Sequence, residues 1–278
     1  MQWQPKITII TATFNSGKTL ETTIKSISSQ TYTNIEYIII DGESKDGTID
    51  IIDRYEALGV ITTWISEKDT GIYNAFNKGL SLSTGDYVVF LGSDDFFYDK
   101  FVIEKVVSEL RHDTDVYSGW IMCVNEKTGL EYVYDNYFAR RGKDVYQMVP
   151  HPALFVRTAL AKEIRFDESY KIAADLKMFL TLYHKMKLNF IFSDRVVSYF
   201  SLSGVSSNND AADELNRIYS ELGIDYRVVH TYRKAIIKFI KKGIIKVMND
   251  SLYRLYCLKI KKYKVHKCSN DFCRWCRR

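Results

Sequence analysis

Two adjacent carboxylates, Asp94 and Asp95, follow the apolar run Tyr87-Val88-Val89-Phe90-Leu91 through Gly92-Ser93. The run reads as a buried strand. Acids side by side where a strand leaves the core repel each other unless a cation or a donor network compensates them, which suits the pair to a divalent metal or a phosphate-handling site. The plain structural alternative is an acidic turn with one carboxylate capping the next helix. A third acid, Asp175, opens an apolar helix that runs to about His184. It stands there either as a cap or as a general base held at a fixed angle. His151 lies between Pro150 and Pro152, which interrupt any helix and restrict the backbone around it.

Strands and helices must bring these residues together. Ile7 to Ile10 reads as a first buried strand, Thr11 to Gly17 as a loop, and Thr19 to Gln30 as a helix with Ile24 and Ile27 inward. A second β-branched run, Ile35 to Ile40, ends at Asp41-Gly42. Strand, helix and strand in that order predict a parallel sheet with a right-handed crossover. The pattern continues with a helix from Asp46 through Tyr55, a strand from Val60 to Ile65, a helix from Ile72 to Leu82 and the strand from Tyr87. Ligands of such open sheets sit beyond the carboxyl ends of the strands. Thr11 to Asn15, Asp41 to Glu43, Glu67 to Asp69 and Asp94-Asp95 all fall there, so four polar clusters are expected to form one crevice. The N-terminal amides of the helix at Ile72 favour a phosphate. No Gly-rich dinucleotide fingerprint or phosphate-loop lysine motif occurs, which argues against the usual Rossmann cofactors. Beyond Asp95 the pattern becomes α+β, with Asp115 to Val124 and Glu131 to Tyr134 pairing around a turn at Asn125 to Gly129.

At 278 residues and 46% hydrophobic, the chain buries one full core and leaves residues for a tail or small subdomain. No basic stretch precedes a long apolar segment, and no apolar run approaches the roughly 18 to 20 residues that span a bilayer. A cytosolic protein is expected. The net charge of +5 is unevenly spread: residues 231 to 278 hold fifteen Lys and Arg against Asp250 and Asp271, a net +13, which leaves −8 for residues 1 to 230. An acidic body argues against a nucleic-acid groove. Tyr232, Ile236, Phe239, Ile240, Ile244 and Val247 share one helical face, with Lys234, Lys238, Lys241 and Lys242 largely opposite. Such a basic amphipathic helix either packs on the body or meets a membrane, and Lys259, Lys261, Lys262, Lys264 and Lys267 favour anionic lipid headgroups. Of five cysteines, four crowd the end of the chain. His266, Cys268, Cys273 and Cys276 offer zinc only one C-x-x-C pair with Cys268 nearby, so reduced thiols are the default.

Several ordered motifs resemble glycosyltransferase family 2, inverting transferases with a GT-A fold that use nucleotide-sugar donors. Ile9-Ile10-Thr11-Ala12-Thr13-Phe14-Asn15 is similar to the family's opening strand and nucleoside loop. Ser29-Gln30-Thr31-Tyr32-Thr33-Asn34-Ile35-Glu36, then Ile40-Asp41-Gly42-Glu43-Ser44-Lys45-Asp46-Gly47-Thr48, is similar to its second strand and turn. Asp69-Thr70-Gly71-Ile72-Tyr73-Asn74-Ala75-Phe76-Asn77-Lys78-Gly79, then Thr84-Gly85-Asp86-Tyr87, is similar to the approach to its metal motif. The resemblance covers roughly residues 6 to 200.

The resemblance implies that Ala12, Thr13 and Phe14 hold the nucleoside, that Asp41 lies at the base pocket, and that Asp69 and Lys78 are on the donor side. It implies that Asp95 ligates Mn²⁺ or Mg²⁺, that Asp94 supports the ribose, diphosphate or metal, that Asp175 is the catalytic base, and that His151 falls near the acceptor. The chain departs from the pattern at three positions: Gly42 where many members carry a second acid, Gly92 where many carry the first acid of an extended D-x-D-D, and Ala174 where Glu is common. The implied organisation is a GT-A catalytic domain over 1–205, with a nucleotide-sugar-binding half at 1–98 and an α+β acceptor half at 99–205, and a helical basic region at 206–278. The implied partners are a UDP-hexose donor and a polyprenyl-diphosphate-linked glycan in surface polysaccharide or O-antigen synthesis. The basic tail would hold the protein on the cytoplasmic face of the inner membrane. Two alternatives stand beside this reading. A nucleotidyltransferase would also use acidic metal ligands but lacks its basic Gly-rich loop here, and a noncatalytic nucleotide-sugar-binding or membrane-scaffold protein would not need Asp94, Asp95 and Asp175 together.

Overall fold

A strand buried on both faces must be apolar throughout, and its side chains must alternate between two cores. The first strand, β1 (Ile7–Thr13), does so, sending Ile7 and Ile9 to one apolar layer and Ile10 and Ala12 to the other. A computed structural model describes residues 3–125, 130–134, 150–201, 211–224 and 264–265. After β1 come α1 (Leu20–Ser28), β2 (Ile35–Asp41), α2 (Thr48–Ala57), β3 (Thr63–Ser66), α3 (Ile72–Leu82) and β4 (Tyr87–Phe90). Then follow β5 (Phe96–Phe97), α4 (Val102–Glu109), β6 (Val116–Asn125), β7 (Leu130–Tyr134) and a 3₁₀ turn (His151–Ala153). The remainder is β8 (Leu154–Arg157), α5 (Thr158–Ile164), α6 (Ala174–Lys185), β9 (Phe190–Ser201), α7 (Ala211–Leu222) and β10 (Lys264–Val265).

Strands β3, β2, β1 and β4 lie side by side and parallel, as the repeated strand and helix pattern predicts. The sheet continues through β8, antiparallel to β4, to β6, and β9 then runs parallel to β6. β7 pairs antiparallel with β6, and the two-residue β10 pairs antiparallel with β7. Helices α1, α2 and α4 cover one face, packing Leu20, Ile24, Ile52 and Ile103 against Ile7, Ile9, Tyr37 and Ile39. Helices α3, α5, α6 and α7 cover the other, packing Phe76, Ala161, Phe179 and Ile218 with Ile10, Ile38, Ile40 and Phe90. The strand order reverses at β1, so the ends of β1 and β4 flank a crevice of the kind that takes ligands in such sheets.

Several element boundaries differ from the sequence expectation: β1 runs on through Thr13, where a loop from Thr11 is expected, and α1 is shorter at both ends than the expected Thr19 to Gln30. Helix α2 starts at Thr48, not Asp46, because Gly47 takes a left-handed φ of 85° and the Asp46 carboxylate turns to Thr48 N and Oγ1. Strand β3 starts at Thr63, not Val60; Ile61 instead enters the core beside α2. Helix α7 buries Ile218 and Tyr219 in the core on one face of the sheet. Among the described residues no helix is long and apolar enough to cross a membrane. The amphipathic segment 232–248, the turn at 126–129 and the terminal His266, Cys268, Cys273 and Cys276 lie outside the described residues.

Candidate active site

The loops after β1 and β2 are fastened to each other. Gly42 N donates to Thr13 O at 2.9 Å, Asn15 N to Ser44 Oγ at 2.7 Å and Lys45 N to Asn15 Oδ1 at 2.9 Å. Ser16 N donates to Thr48 Oγ1 at 2.8 Å, and Gly17 N to Asp46 Oδ2 at 3.0 Å. Asn15 and Glu43 hold φ values of 49° and 63°, left-handed conformations that persist where surrounding bonds over-determine them. What this rigid pair of loops presents is Phe14, 63% exposed despite its large ring. Ala12 places its methyl in the core, and Thr13 Oγ1 is buried with no hydrogen-bond partner.

Asp41 ends β2 fully buried. Its carboxylate accepts from Ser44 N at 2.9 Å, Ser44 Oγ at 2.5 Å and Ser66 Oγ at 2.7 Å, so it ties the ends of β2 and β3 together. The next residue, Gly42, keeps a gap open. A Cβ there would stand 2.8 Å from Asp69 Oδ2 and 3.3 Å from Phe14 Cδ2. Phe14, Gly42 and Asp69 thus converge, as their places at the ends of β1, β2 and β3 require. Asp69 Oδ1 accepts from Gly71 N at 3.0 Å, placing a carboxylate where the sequence suggested a phosphate before α3. Lys78 is turned to the same loop, bonding Lys68 O at 3.0 Å and Glu67 at 2.9 Å.

The acid pair sits across the crevice from these loops. Ser16 Oγ and Ser93 Oγ share a hydrogen bond at 2.8 Å, which closes the β1 loop onto the β4 loop. Asp95 is 2% exposed; its Oδ1 accepts from Ser201 N at 3.1 Å and its carbonyl from Thr23 Oγ1 at 2.7 Å. A Cβ at Gly92 would lie 2.8 Å from Asp95 Oδ2 and 3.1 Å from Asp94 Oδ1. Both carboxylates therefore bend over the glycine, which leaves room for them to approach one another. Among the described residues no three His, Cys, Asp or Glu side chains form a cation cage. A cation on Asp94 and Asp95 would complete its shell with ligand oxygens and water, the usual way Mg²⁺ is held.

Asp175 lies in the first turn of α6 and does not cap it. Its Oδ1 accepts from Leu176 N at 2.8 Å and lies 3.1 Å from Tyr73 Oη, while its Oδ2 is 3.1 Å from His151 Nδ1. The side chain stays 11% exposed. Tyr73 Oη also reaches Ile172 O at 2.6 Å, and burial together with the Asp175 charge raises its pKa, so it remains a donor. Burial pulls the His151 pKa down, but Asp175 and, at longer range, Asp95 and Asp94 overcome that and raise it. The imidazole therefore senses both the lone acid and the acid pair. It reaches this place because Pro150 and Pro152 set a 3₁₀ turn beside β9, where its ring meets Phe200 edge-on at 6.2 Å.

Sequence reasoning missed the supports of Asp175. Tyr73, Asn74 and Asn77 stood inside a motif already noted, at the helical spacing that places them on one face of α3. Asn74 and Asn77 donate to Glu168 at 2.8 Å each, and Asn77 also takes Phe166 N and O, so α3 grips the segment leading to α6. Glu214 of α7 carried no local signal.

The described residues build the α/β, mostly parallel architecture of the GT-A fold, and solved structures share it. The chain covers 79% of its length on Staphylococcus aureus TarS residues 1–349 in complex with UDP-GlcNAc, at 20% identity and a TM-score of 0.61, and spans 66% of that chain. It also matches the mannosyltransferase PcManGT from Pyrobaculum calidifontis in complex with GDP-Man and Mn²⁺, at 19% identity and a TM-score of 0.58, over 78% of this chain and 61% of that one. Among curated relatives, the uncharacterized glycosyltransferase Rv1514c of Mycobacterium tuberculosis is 33% identical over 63% of this chain and 68% of its own. A PGL/p-HBAD biosynthesis glycosyltransferase of Mycobacterium bovis is 27% identical over 87% of this chain and 94% of its own. The family model for Glycosyl transferase family 2 matches residues 8–174, from the first strand to the residue before Asp175. With that match spanning most of the sheet and both sets of loops, the chain belongs to glycosyltransferase family 2.

Proposed function

We propose that this glycosyltransferase moves a sugar from a nucleotide-sugar donor to a glycan hydroxyl with inversion at the anomeric carbon. His151 carries the reading: its Nδ1 lies 3.1 Å from Asp175 Oδ2 and its ring meets Phe200, whose neighbour Ser201 donates its N–H to Asp95, so a lone acid and an acid pair serve one crevice. Thr13, Phe14, Gly42 and Asp69 would receive the nucleoside, with Asp41 fixing the floor beneath them. Asp94 and Asp95 fit Mn²⁺ or Mg²⁺, and a bound cation would neutralise charge on the departing diphosphate. Asp175 takes the proton of the acceptor hydroxyl as its oxygen bonds the anomeric carbon; the bond from that carbon to the diphosphate breaks, and the nucleoside diphosphate leaves. A carboxylate is a weak base, so Asp175 contributes chiefly by aligning the hydroxyl and accepting its proton late. A single displacement of this kind inverts; it uses one carboxylate as base and a sugar-acceptor hydroxyl, where glycoside hydrolysis uses paired carboxylates and water.

UDP-hexose is the proposed donor, supported by the UDP-GlcNAc bound to the TarS structure, with the GDP-Man of the Pyrobaculum structure as the competing class. The proposed acceptor is a polyprenyl-diphosphate-linked glycan in surface polysaccharide or O-antigen assembly. The charge of residues 231 to 278, a net +13, supports attachment to anionic lipid on the cytoplasmic face of the inner membrane.

Thermal stability with UDP, GDP, dTDP and CDP and with the matching nucleoside triphosphates, each with and without Mn²⁺, tests the donor site. One nucleotide at 100 times its dissociation constant should add about 2.7 kcal/mol, and only with the cation present. Stabilisation by a nucleoside triphosphate alone would favour a nucleotidyltransferase. Binding without transfer from any nucleotide sugar would favour the noncatalytic reading.

A further inference from the structure

The peptide that leads into α6 is held from behind by a side chain outside the matched family region. Glu214, in the first turn of α7, accepts from Lys171 N at 2.6 Å through Oε1, and from Ile172 N at 3.0 Å and Ala173 N at 2.9 Å through Oε2. Three successive N–H groups turned to one point make an anion nest, filled here by the protein's own carboxylate. Bonds from N–H groups to an ionised acceptor are among the stronger ones. From the other side, Tyr73 Oη meets Ile172 O and Asp175 Oδ1. The strand of backbone just before Asp175 is therefore fixed at its N–H groups by α7 and at its carbonyl by α3.

Helix α7 has other attachments that do not use this peptide. Arg217 donates to Ser169 Oγ at 2.9 Å, its guanidinium lies over the Tyr170 ring at 4.3 Å, and Lys177 Nζ of α6 donates to Glu221 Oε2 at 2.6 Å. Ile218 is buried in the sheet-facing core. Loss of Glu214 should thus leave α7 docked while releasing residues 171–173.

We infer that Glu214 is a positioning residue for Asp175: its grip on residues 171–173 sets where α6 begins and how the Asp175 carboxylate faces the acceptor hydroxyl. The inference rests on the proposed role of Asp175 as base. It also extends the catalytic unit through α7, beyond residues 8–174 of the family match.

The test compares full-length Glu214→Ala, Glu214→Gln and Arg217→Ala. Donor kinetics give one readout, and titration of the His151 imidazole by NMR gives a second that needs no activity. Glu214→Ala should lower kcat about 100-fold, the cost of misplacing a reacting group by about 1 Å, with the donor KM nearly unchanged. Its His151 should titrate closer to the ordinary imidazole value as Asp175 Oδ2 leaves Nδ1. Glu214→Gln, which keeps an acceptor but turns an amide toward one N–H, should fall between, and it decides the matter if the alanine variant does not fold. Arg217→Ala should keep wild-type kcat and His151 titration. The inference is overturned if folded Glu214 variants keep wild-type kcat and His151 titration, or if Arg217→Ala matches their losses, which would make α7 a general brace. If the wild type transfers no sugar yet Glu214→Ala shifts His151, the base role fails and the positioning of Asp175 stands.

Discussion

Two aspartates at this crevice are held in opposite ways. Asp41 is fully buried, and its oxygens are taken by Ser44, three residues on, and by Ser66 at the end of the neighbouring strand. Asp175 keeps part of its carboxylate exposed and is held by Tyr73, His151 and its own helix, with Glu214 fixing the peptide before it. The loops proposed to take the donor are thus built from short-range bonds between consecutive βα turns. The setting of Asp175, the proposed base, is assembled from α3, the 3₁₀ turn, α6 and α7. Substitutions around Asp41 should register as lost stability, and substitutions around Asp175 as lost turnover.

The largest expected effect tests the second half of that contrast. Asp175→Asn retains an oxygen for Tyr73 and Leu176 N but removes the proton acceptor, so kcat should fall about 1,000-fold, within the usual range for a general base, with nucleotide binding intact. Loss of nucleotide binding in the same variant would show that Asp175 supports the whole crevice, and the contrast would collapse. Asp95→Asn comes next. Its amide oxygen can still accept from Ser201 N, so the fold should survive, while the cation-dependent nucleotide stabilisation of about 2.7 kcal/mol at saturating ligand should vanish. Persistence of that stabilisation would move the cation elsewhere.

The same contrast explains what was legible in the sequence. The core could be read because β-branched runs such as Ile35 to Ile40 carry their own period and end in polar turns at one edge. Phe14, Asp41, Asp69, Asp94 and Asp95 could be placed together because strand order alone delivers them there. Asp175 and His151 could be singled out, but their contact could not, since it depends on how the 3₁₀ turn and α6 pack on β9. Glu214 was illegible: an acid in the first turn of an amphipathic helix reads as ordinary dipole compensation. The start of α2 was misjudged because the local turn at Asp46-Gly47 outranks helical propensity.

A smaller effect probes Asp41. Ser44→Ala removes the 2.5 Å bond, leaving a buried carboxylate with Ser66 Oγ and one backbone N–H, and it also removes the acceptor of Asn15 N. Denaturant unfolding should show a loss of about 1–3 kcal/mol, while kcat changes little. A fall in kcat larger than this loss of stability implies would make Asp41 a direct participant in donor chemistry and blur the distinction between the two acids.

The smallest effect is in the pH dependence, where the two regions meet at His151. Its pKa is raised in the folded protein, burial being outweighed by Asp175, Asp95 and Asp94. A group whose folded pKa lies above its unfolded value binds its proton more tightly when folded. The stability it contributes is full below the ordinary value of 6.5 and is lost as pH rises through the raised one. Wild type should therefore lose stability relative to His151→Gln across that window, and the two should run parallel at higher pH. Magnesium should shrink the difference by neutralising Asp94 and Asp95, leaving the part due to Asp175. A difference insensitive to magnesium would mean that the acid pair and His151 are electrostatically separate, and that the crevice is two sites rather than one.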